Sequence, residues 1–588
     1  MSCDKLVFDL SQEIEGSPNV FVKKDWLNIL DNQNQNYSSN QSVIDTSQLS
    51  NSNKYMSYRE AYFMIPMMLT LSTTTGVFQP GTAATSSDYA IGLKNWFGSI
   101  IHSFTLDYMG TTIIQQTPFI NMWNSFKLMT SLSWNDVITQ GSSIGFFPDE
   151  PLAWGYYAAA APSGVAVVNN VNTPANAVVQ ANLATAFNIY EFGRGNEGFA
   201  RRQQYINFDP LGTPGDTTYQ TLFPNLAVNN LWKSYIFQKS NAGGGLLQIA
   251  ITATVYLKQV HSFFAMCPLL KGVFMKMTMN LNNSSVQLTV TGAASPANIS
   301  LASVSVPVGG VCPIMVASAQ GTPGTAASYN GGYNLVGTAD GAGTPYLATL
   351  SVGGRCLNST VASRGDYQPS PLAQSIYLYV PAYTFNPVFE QAYLSSPIKQ
   401  IKYTDIYQYQ VLNIAGNNGN FNNLITNGIA NIKSVLILPF YSVQAGAANT
   451  GLPAGIPVYQ SPFDPAGCGP TSPLCLLTNF NVVISGQNAI YNTQRYAFEQ
   501  FNNQLYGQNA VNGGMTDGLT SSLINSLGFE MEYCYYYVNV SRMLPVEESV
   551  PKSVQIIGTN TSARALDFFV FVEYGCDISI DILSGSRV

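Results

Sequence analysis

Apolar and polar residues alternate most clearly near the end of the chain. Every second position from 578 to 582 is isoleucine, and aspartate or serine residues lie between them. Successive side chains of a β-strand point to opposite faces, so this segment predicts a strand with one buried face. Short apolar segments bounded by glycine, proline and asparagine recur along the chain, at Ala61–Ile65, Gln248–Tyr256, Val273–Leu281, Ser375–Val380, Lys433–Leu438 and Leu566–Tyr574. Helical periodicity is scarce, so the pattern predicts an all-β protein of the sandwich type with long loops.

Two distant segments, 103–126 and 479–502, share one hydrophobic pattern without a gap. Six positions align, four of them identical: Phe104 with Phe480, Leu106 with Val482, Tyr108 with Ile484, Gly110 with Gly486, Ile114 with Ile490, and Thr117 with Thr493. In both segments an alternating strand leads into a glycine turn, a second short strand and then a helix. We therefore expect two β-domains of similar construction in one chain.

The helix of each repeat is expected to begin at its threonine. Thr117 is a competent N-cap, and Pro118 suits the first helical position. The apolar stripes of the two helices would be Phe119, Met122, Trp123, Phe126 and Met129 in the first repeat and Phe498, Phe501 and Leu505 in the second. We expect Trp123 to fill the core, and Gly110 and Gly486 to need a positive φ or a close backbone approach.

Three regions follow from the distribution of polar and small residues. Residues 1–55 are expected to form an N-terminal arm, because 31–54 is a polar tract with almost no apolar periodicity. Residues 56–365 would form the first β-domain, with a long insertion or connection near 284–365 that is rich in small residues, glycine and proline. Leu301–Val308 looks like a strand within that insertion. Residues 366–588 would form the second β-domain.

The composition is unusually poor in charge. Of 588 residues, 25 are Lys or Arg and 32 are Asp or Glu, about 10%, whereas a soluble domain usually carries about 25%. An apolar content of 46% argues against disorder, and the absence of a basic cluster argues against nucleic-acid binding. No apolar run is long enough to span a membrane, and no secretory signal is expected. With so few charges, the surface must be made of neutral polar residues or be buried against other copies. The composition therefore favours a protein that assembles with other copies of itself.

Cysteine and histidine are too scattered to predict a metal site. The eight cysteines contain no C-x-x-C pair, and the two histidines are His102 and His261. Isolated buried thiols and structural histidines are the favoured interpretation. We expect no metal and no cofactor.

Two sequence motifs are typical of hydrolases and of nucleotide-binding proteins, but the secondary structure expected around them does not fit either function. Gly141, Ser143 and Gly145 match G-x-S-x-G, yet a helical stretch precedes the serine, where a nucleophile elbow needs a strand. Residues 193–198 match G-x-G-x-x-G, but no crossover helix follows. The acid pairs 149–150 and 547–548 are adjacent and would diverge on a strand. A hydrolase that uses Ser143 stays a third hypothesis; no catalytic residue is predicted.

Four segments, in order, resemble double jelly-roll major capsid proteins of virophages and polinton-like viruses, of the Mavirus type. Ile101–Ser131 resembles the strand-turn-strand-helix segment of the first jelly roll, and Leu257–Asn282 resembles its end. Ser375–Val411 is similar to the opening of the second jelly roll, and Val550–Val588 to its closing strands. The resemblance covers most of the chain after residue 55. The insertion near 284–365 departs from shorter members of the family.

The resemblance implies a structural protein that is not an enzyme. Its fold would be two tandem eight-stranded jelly rolls with short helices. Three copies would form a pseudo-hexagonal capsomer that tiles an icosahedral virion shell, assembled inside the infected host cell. Its partners would be two further copies, neighbouring capsomers and penton proteins, with or without minor capsid proteins, but no specific nucleic acid and no membrane span. A trimeric β-sandwich fibre or host-binding protein remains the alternative.

Overall fold

Antiparallel strands dominate the computed structural model of the chain. It describes residues 19–33, 35, 37–50, 52–73, 89–148, 202–204, 235–241, 244–291, 298–307, 310–318, 345–353, 375–442, 458–460, 462, 475–490, 495–509, 523–531, 533–541, 548–562, 565–582 and 585–587. The predicted all-β class is confirmed.

The elements are numbered in chain order. The strands are β1 (Phe21–Leu30), β2 (Gln41–Asp45), β3 (Tyr55–Met56), β4 (Tyr62–Thr73), β5 (Tyr89–Leu93), β6 (Ile101–Tyr108), β7 (Thr111–Ile114), β8 (Gln203–Gln204), β9 (Tyr235–Asn241), β10 (Gly244–Tyr256), β11 (Met275–Leu281), β12 (Ser284–Thr291), β13 (Asn298–Ser305), β14 (Ile314–Ser318), β15 (Pro345–Val352), β16 (Tyr377–Phe385), β17 (Ile398–Ile414), β18 (Gly419–Ile429), β19 (Ile432–Tyr441), β20 (Leu477–Ile484), β21 (Gln487–Asn488), β22 (Tyr536–Asn539), β23 (Lys552–Asn560) and β24 (Leu566–Asp581). The α-helices are α1 (Ser47–Ser50), α2 (Ile120–Ser131), α3 (Trp134–Ile144), α4 (Leu257–Val260), α5 (Ser262–Met266), α6 (Pro387–Leu394), α7 (Phe498–Asn509) and α8 (Ser526–Met531).

The C-terminal half contains two four-stranded sheets. Their strand orders are β17-β24-β19-β22 and β18-β23-β20-β21. Lettered B to I along the chain, the eight strands β17 to β24 give B-I-D-G and C-H-E-F, which are the two sheets of a jelly roll. Phe421 of the second sheet packs edge-on against Phe568 of the first, with ring centroids 5.2 Å apart. This C-terminal jelly roll is called sandwich 2.

The N-terminal half repeats the same arrangement. One sheet has the order β2-β11-β6-β7, and the other contains β1-β16-β4, with β10 paired to β4. Lettered in chain order, these eight strands again give C-H-E-F and B-I-D-G. This N-terminal jelly roll is called sandwich 1. The order of strands in the two halves shows that the chain is two jelly rolls in tandem.

The segment expected to be an arm contributes strands to sandwich 1. From Phe21 onwards it contains β1 and β2, and Ile29 and Ile44 are buried in the core. The sequence did not predict these strands because apolar periodicity is weak in both. β1 exposes most of its other side chains, and β2 is flanked by Asn- and Ser-rich turns. Residues 1–18 of the expected arm lie outside the described residues.

Strand β16 also belongs to sandwich 1. It pairs with β1 along its length and with β4 at Tyr62–Met64. Its sequence lies within the segment that resembles the opening of the second jelly roll, but its hydrogen bonds join it to the first. We therefore propose that the boundary between the sandwiches lies between Phe385 and Ile398, later than residue 366.

The insertion contains more strand than its composition suggested. β15 pairs with β4, and β12 and β13 extend the same sheet outward. Val286 and Ala348 are fully buried within it. β13 (Asn298–Ser305) overlaps the strand predicted at 301–308 but begins three residues earlier. β14 forms a separate three-stranded sheet with β5 and β8.

The two repeats form the same turn. Met109 and Gly110 have φ values of 47° and 81°, and Ser485 and Gly486 have φ values of 49° and 83°. Two successive residues with positive φ are typical of the type I′ hairpin turn, which matches the twist of the flanking strands. The predicted need for a left-handed conformation at both glycines is confirmed.

Valine at either turn glycine is expected to destabilise the protein by about 1–3 kcal/mol, the usual cost of an unfavourable backbone conformation. A Cβ at Gly110 or Gly486 meets no atom within 4 Å, so the cost comes from the backbone alone. Gly428→Val is the matched control, because its surroundings are equally open and its φ is not in the left-handed region. Thermal melting would measure the effect; equal melting of all three variants would contradict it.

Candidate functional site: the seam between the sandwiches

Helix α2 of sandwich 1 packs on sandwich 2. Trp123 lies 6.1 Å from Phe571 between ring centroids, and Phe119 lies 4.8 Å from Phe569. Phe126, one turn further along, contacts Tyr535 and Tyr537 of the G-strand region. These rings are buried, as expected for Trp123, but the core that they fill lies between the two sandwiches. We call this contact region between sandwich 1 and sandwich 2 the seam.

The expected N-cap is wrong for the first repeat. Helix α2 begins at Ile120, and Phe119 before it has a left-handed backbone without a side-chain cap. The Thr117 hydroxyl instead donates to the backbone oxygen of Ile406, at 2.9 Å. Thr117 therefore joins the sandwiches. Thr493 lies outside the described residues, and helix α7 begins at Phe498.

A buried polar network crosses the same seam. His261, at the N-cap of α5, lies with its Nε2 atom 3.4 Å from Asp405 Oδ1 of β17. Asp405 also accepts hydrogen bonds from the Ile406 backbone at 2.8 Å and the Tyr574 hydroxyl at 3.3 Å. Burial, and then the charge of Asp405, raise the pKa of Tyr574, so its hydroxyl remains a donor. The carboxylate is thus satisfied by three donors.

The network has a histidine–aspartate pair but no usable base. His261 Nδ1 accepts the backbone N–H of Phe263 at 3.2 Å, so its lone pair is engaged. The neighbouring Ser262 hydroxyl donates to the backbone oxygen of Thr404 at 2.6 Å. A nucleophilic serine needs its proton directed to a free imidazole nitrogen. This arrangement positions two sandwiches and does not activate a nucleophile.

A cavity of about 260 Å³ lies beside the network. Its wall includes Trp123, Lys127, Lys258 and Glu573. The Lys127 ammonium lies 3.7 Å from a Glu573 carboxylate oxygen and 5.0 Å from the centre of the Trp123 ring. The Lys127 ammonium therefore adjoins both a carboxylate and an aromatic face, which stabilises its charge at the seam.

One of the two candidate motifs lies within the described residues. Ser143 lies exposed in the last turn of α3, and Gly145 caps that helix with φ 68°. It is therefore not on a strand-to-helix elbow. The G-x-G-x-x-G segment 193–198 and the acid pair 149–150 lie outside the described residues. Of the second pair only Glu548 is described, and it forms an ion pair with Lys433 at 3.2 Å.

The described cysteines are separate thiols. Cys267, Cys312, Cys475 and Cys534 are buried. Burial raises the pKa of the Cys267 thiol, so it remains protonated. Within the described ranges, no three His, Cys, Asp or Glu side chains are grouped as a metal site would need. No helix in the described part of the chain has the length and apolar character to cross a bilayer.

His102 lies within β6, next to the seam. Its ring meets Phe119 edge-on with centroids 4.9 Å apart, and its Nδ1 has no partner among the described residues. Burial lowers the pKa of His102 to about 4. The imidazole is therefore neutral in the folded protein at neutral pH.

This lowered pKa predicts acid sensitivity that depends on His102. The unfolded chain, with a histidine pKa of about 6.5, takes up the proton first, so stability present above that pH is lost as pH falls towards 4. Replacing His102 by Phe should remove up to about 3 kcal/mol of this loss. Denaturant titrations of both proteins at several pH values would measure it. Parallel pH profiles would contradict it.

No family model and no curated protein matches the sequence. Similar solved structures include a chain of the Sputnik virophage, with 12% identity and a TM-score of 0.46, covering 98% of this chain and 90% of that chain. The mavirus major capsid protein (9%, TM-score 0.40) covers 98% and 92%, and the Faustovirus major capsid protein (9%, TM-score 0.40) covers 98% and 94%.

The strand orders define the class of this protein: a double jelly roll. That assignment rests on the pairing of strands within the chain, independently of the TM-scores. The four sequence segments resemble major capsid proteins, and the mavirus and Faustovirus chains among the similar structures are proteins of that kind.

Proposed function

We propose that this chain is a major capsid protein, a structural component of a virion without a catalytic role. Its homotrimer would form a pseudo-hexagonal capsomer that tiles an icosahedral shell. The observation that carries the proposal is the tandem repetition of one strand order in sandwiches 1 and 2. Three such chains around an axis place six similar sandwiches in a ring, which gives a hexagonal outline.

Composition and chemistry support the same role. A chain with about 10% charged residues offers a surface of polar amides, hydroxyls and aromatics that suits contact with sister molecules. Both ring nitrogens of His261 are engaged in contacts, with Asp405 and with the Phe263 backbone, so the histidine–aspartate pair joins the sandwiches. Further partners would be neighbouring capsomers and penton proteins, with or without minor capsid proteins.

Sedimentation of the purified full-length chain tests the proposal. We expect a stable species with three times the chain mass of 63.7 kDa and a hexagonal outline in end-on electron micrographs. A chain that is monomeric at micromolar concentration in all salts would contradict it. A trimer that binds glycans and never forms a curved lattice would favour the fibre or host-binding alternative.

A further inference from the structure

The B-I-D-G sheet of sandwich 2 has a covered outer face. One row of directly paired residues crosses its four strands: Gln408, Phe571, Leu436 and Tyr537. Phe571, Leu436 and Tyr537 are fully buried. Helix α2 of sandwich 1 provides the cover, because Trp123 and Phe126 lie on Phe571 and Tyr537.

Sandwich 1 has the corresponding row on its own B-I-D-G sheet. Asn28 pairs with Tyr379, Tyr379 with Tyr62, and Tyr62 with Tyr256. The order of residue types is similar: an amide on strand B, an aromatic on I, a large side chain on D and an aromatic on G. Because the strand letters coincide, the two rows cross the same four strands of the two jelly rolls.

The row of sandwich 1 is left partly open. Its three tyrosines are half-buried, and Trp26 beside them is 49% exposed. The rings pack on one another, with centroids 5.1 Å apart for Tyr62 and Tyr379 and 5.7 Å apart for Trp26 and Tyr62. We call Trp26, Tyr62, Tyr256 and Tyr379 the tyrosine face. A contiguous aromatic patch of this kind is typical of an interaction surface.

The repeat identifies the segment that would cover the tyrosine face. Helix α2 follows the glycine turn of the first repeat, and α7 follows that of the second. In the gapless alignment, Trp123 and Phe126 correspond to Glu499 and Asn502. Glu499 is exposed, whereas Phe501, on another side of α7, is buried against sandwich 2. The side of α7 that corresponds to the covering side of α2 is thus polar and acidic.

The chemistry of the two surfaces is complementary. Lys24, which forms an ion pair with Glu60 at 2.6 Å, lies 5.3 Å from the centre of the Trp26 ring, and Lys258 lies 5.5 Å from that of Tyr256. Two lysines therefore flank the tyrosine face, and one of them already has a carboxylate partner. The tyrosine hydroxyls add hydrogen-bonding groups. An acidic and amide-bearing helix surface fits such a patch better than an apolar one would.

We propose that the tyrosine face is the docking surface for helix α7 of a second copy of this chain. The inference rests on the proposed homotrimer and specifies its contact. Within one chain, sandwich 1 lays its helix on sandwich 2. Between chains, sandwich 2 lays its helix on sandwich 1 of the next copy. This contact is head-to-tail, and three such steps around one axis close a ring.

A charge on the tyrosine face should dissociate the trimer. Tyr379→Glu buries a carboxylate in the contact and is expected to raise the dissociation constant roughly 30-fold or more, as at an interface hot spot. Tyr409→Glu is the matched control, because Tyr409 is 40% exposed on strand B of sandwich 2, outside the proposed contact. Sedimentation across a dilution series measures both variants, and thermal melting checks that each is folded.

The outcomes separate the two proposals. A monomeric wild-type chain would overturn the homotrimer and the docking surface together. A trimeric wild-type chain with Tyr379→Glu as tightly associated as Tyr409→Glu would overturn the docking surface alone.

A photo-cross-linker provides a readout that does not depend on destabilisation. Benzoylphenylalanine in place of Tyr62 should form covalent dimers and trimers on a denaturing gel. The linked peptide should come from residues 495–509 of another copy. Cross-links that stay within one chain, or that map to other segments, would overturn the proposal.

Discussion

Replacing Trp123 by alanine is expected to lower the free energy of unfolding by about 3–5 kcal/mol, the range for a large aromatic side chain removed from a core. The indole is 4% exposed and contacts Phe126 within its own helix and Phe571 of sandwich 2. The substitution leaves a cavity where the two jelly rolls meet, and it uncovers part of Phe571. Neighbouring side chains on two separate sheets have little freedom to collapse into that space.

The effect should be a loss of coupling between the sandwiches as well as a lower melting temperature. We expect Trp123→Ala to become sensitive to protease between Phe385 and Ile398, where the chain passes from one jelly roll to the other. Trp134→Ala is the matched control, because Trp134 is 52% exposed on α3. A Trp123→Ala protein that melts and resists protease like the control would show that the seam does not depend on this ring.

The sequence predicted the parts of the fold whose signal is local. The alternation of apolar and polar residues predicted β24. The pattern shared by the segments around Gly110 and Gly486 predicted the E and F strands and the turn of both sandwiches. Strands β1 and β16 were harder to place. The two strands pair with each other although most of the sequence of sandwich 1 lies between them. A local pattern of apolar and polar residues does not indicate a partner strand so distant along the chain.

The seam was hidden for a related reason. His261 was interpreted as structural, but its partner Asp405 lies 144 residues further on. A signal did exist: Ile401, Tyr403 and Asp405 occupy alternate positions of β17 and are all buried. An acid in the inward register of an alternating strand must be paired or satisfied by donors. Sequence periodicity therefore identifies such an acid, while only the fold identifies its donors.

Asp405→Ala should therefore be nearly as damaging as Trp123→Ala, through polar groups instead of a cavity. The substitution removes the acceptor of three donors, the His261 Nε2–H, the Ile406 backbone N–H and the Tyr574 hydroxyl. His261 and Asp405 are each 4% exposed, so the donors lose their acceptor in the interior of the protein. Leaving a buried neutral donor without an acceptor costs about 1–3 kcal/mol, so the three donors together should cost about 3–5 kcal/mol.

Two comparisons make this prediction specific to the network. Asp405→Asn retains one acceptor oxygen, so it should lose roughly half as much stability as Asp405→Ala. Asp577→Ala removes an exposed acid from β24 of the same sheet and should change stability by no more than about 0.5 kcal/mol. Denaturant unfolding of the three variants, followed by far-ultraviolet circular dichroism, would measure the order. If Asp405→Ala were as stable as Asp577→Ala, the buried carboxylate would not hold the sandwiches together, and their coupling would rest on the aromatic contacts of α2 alone.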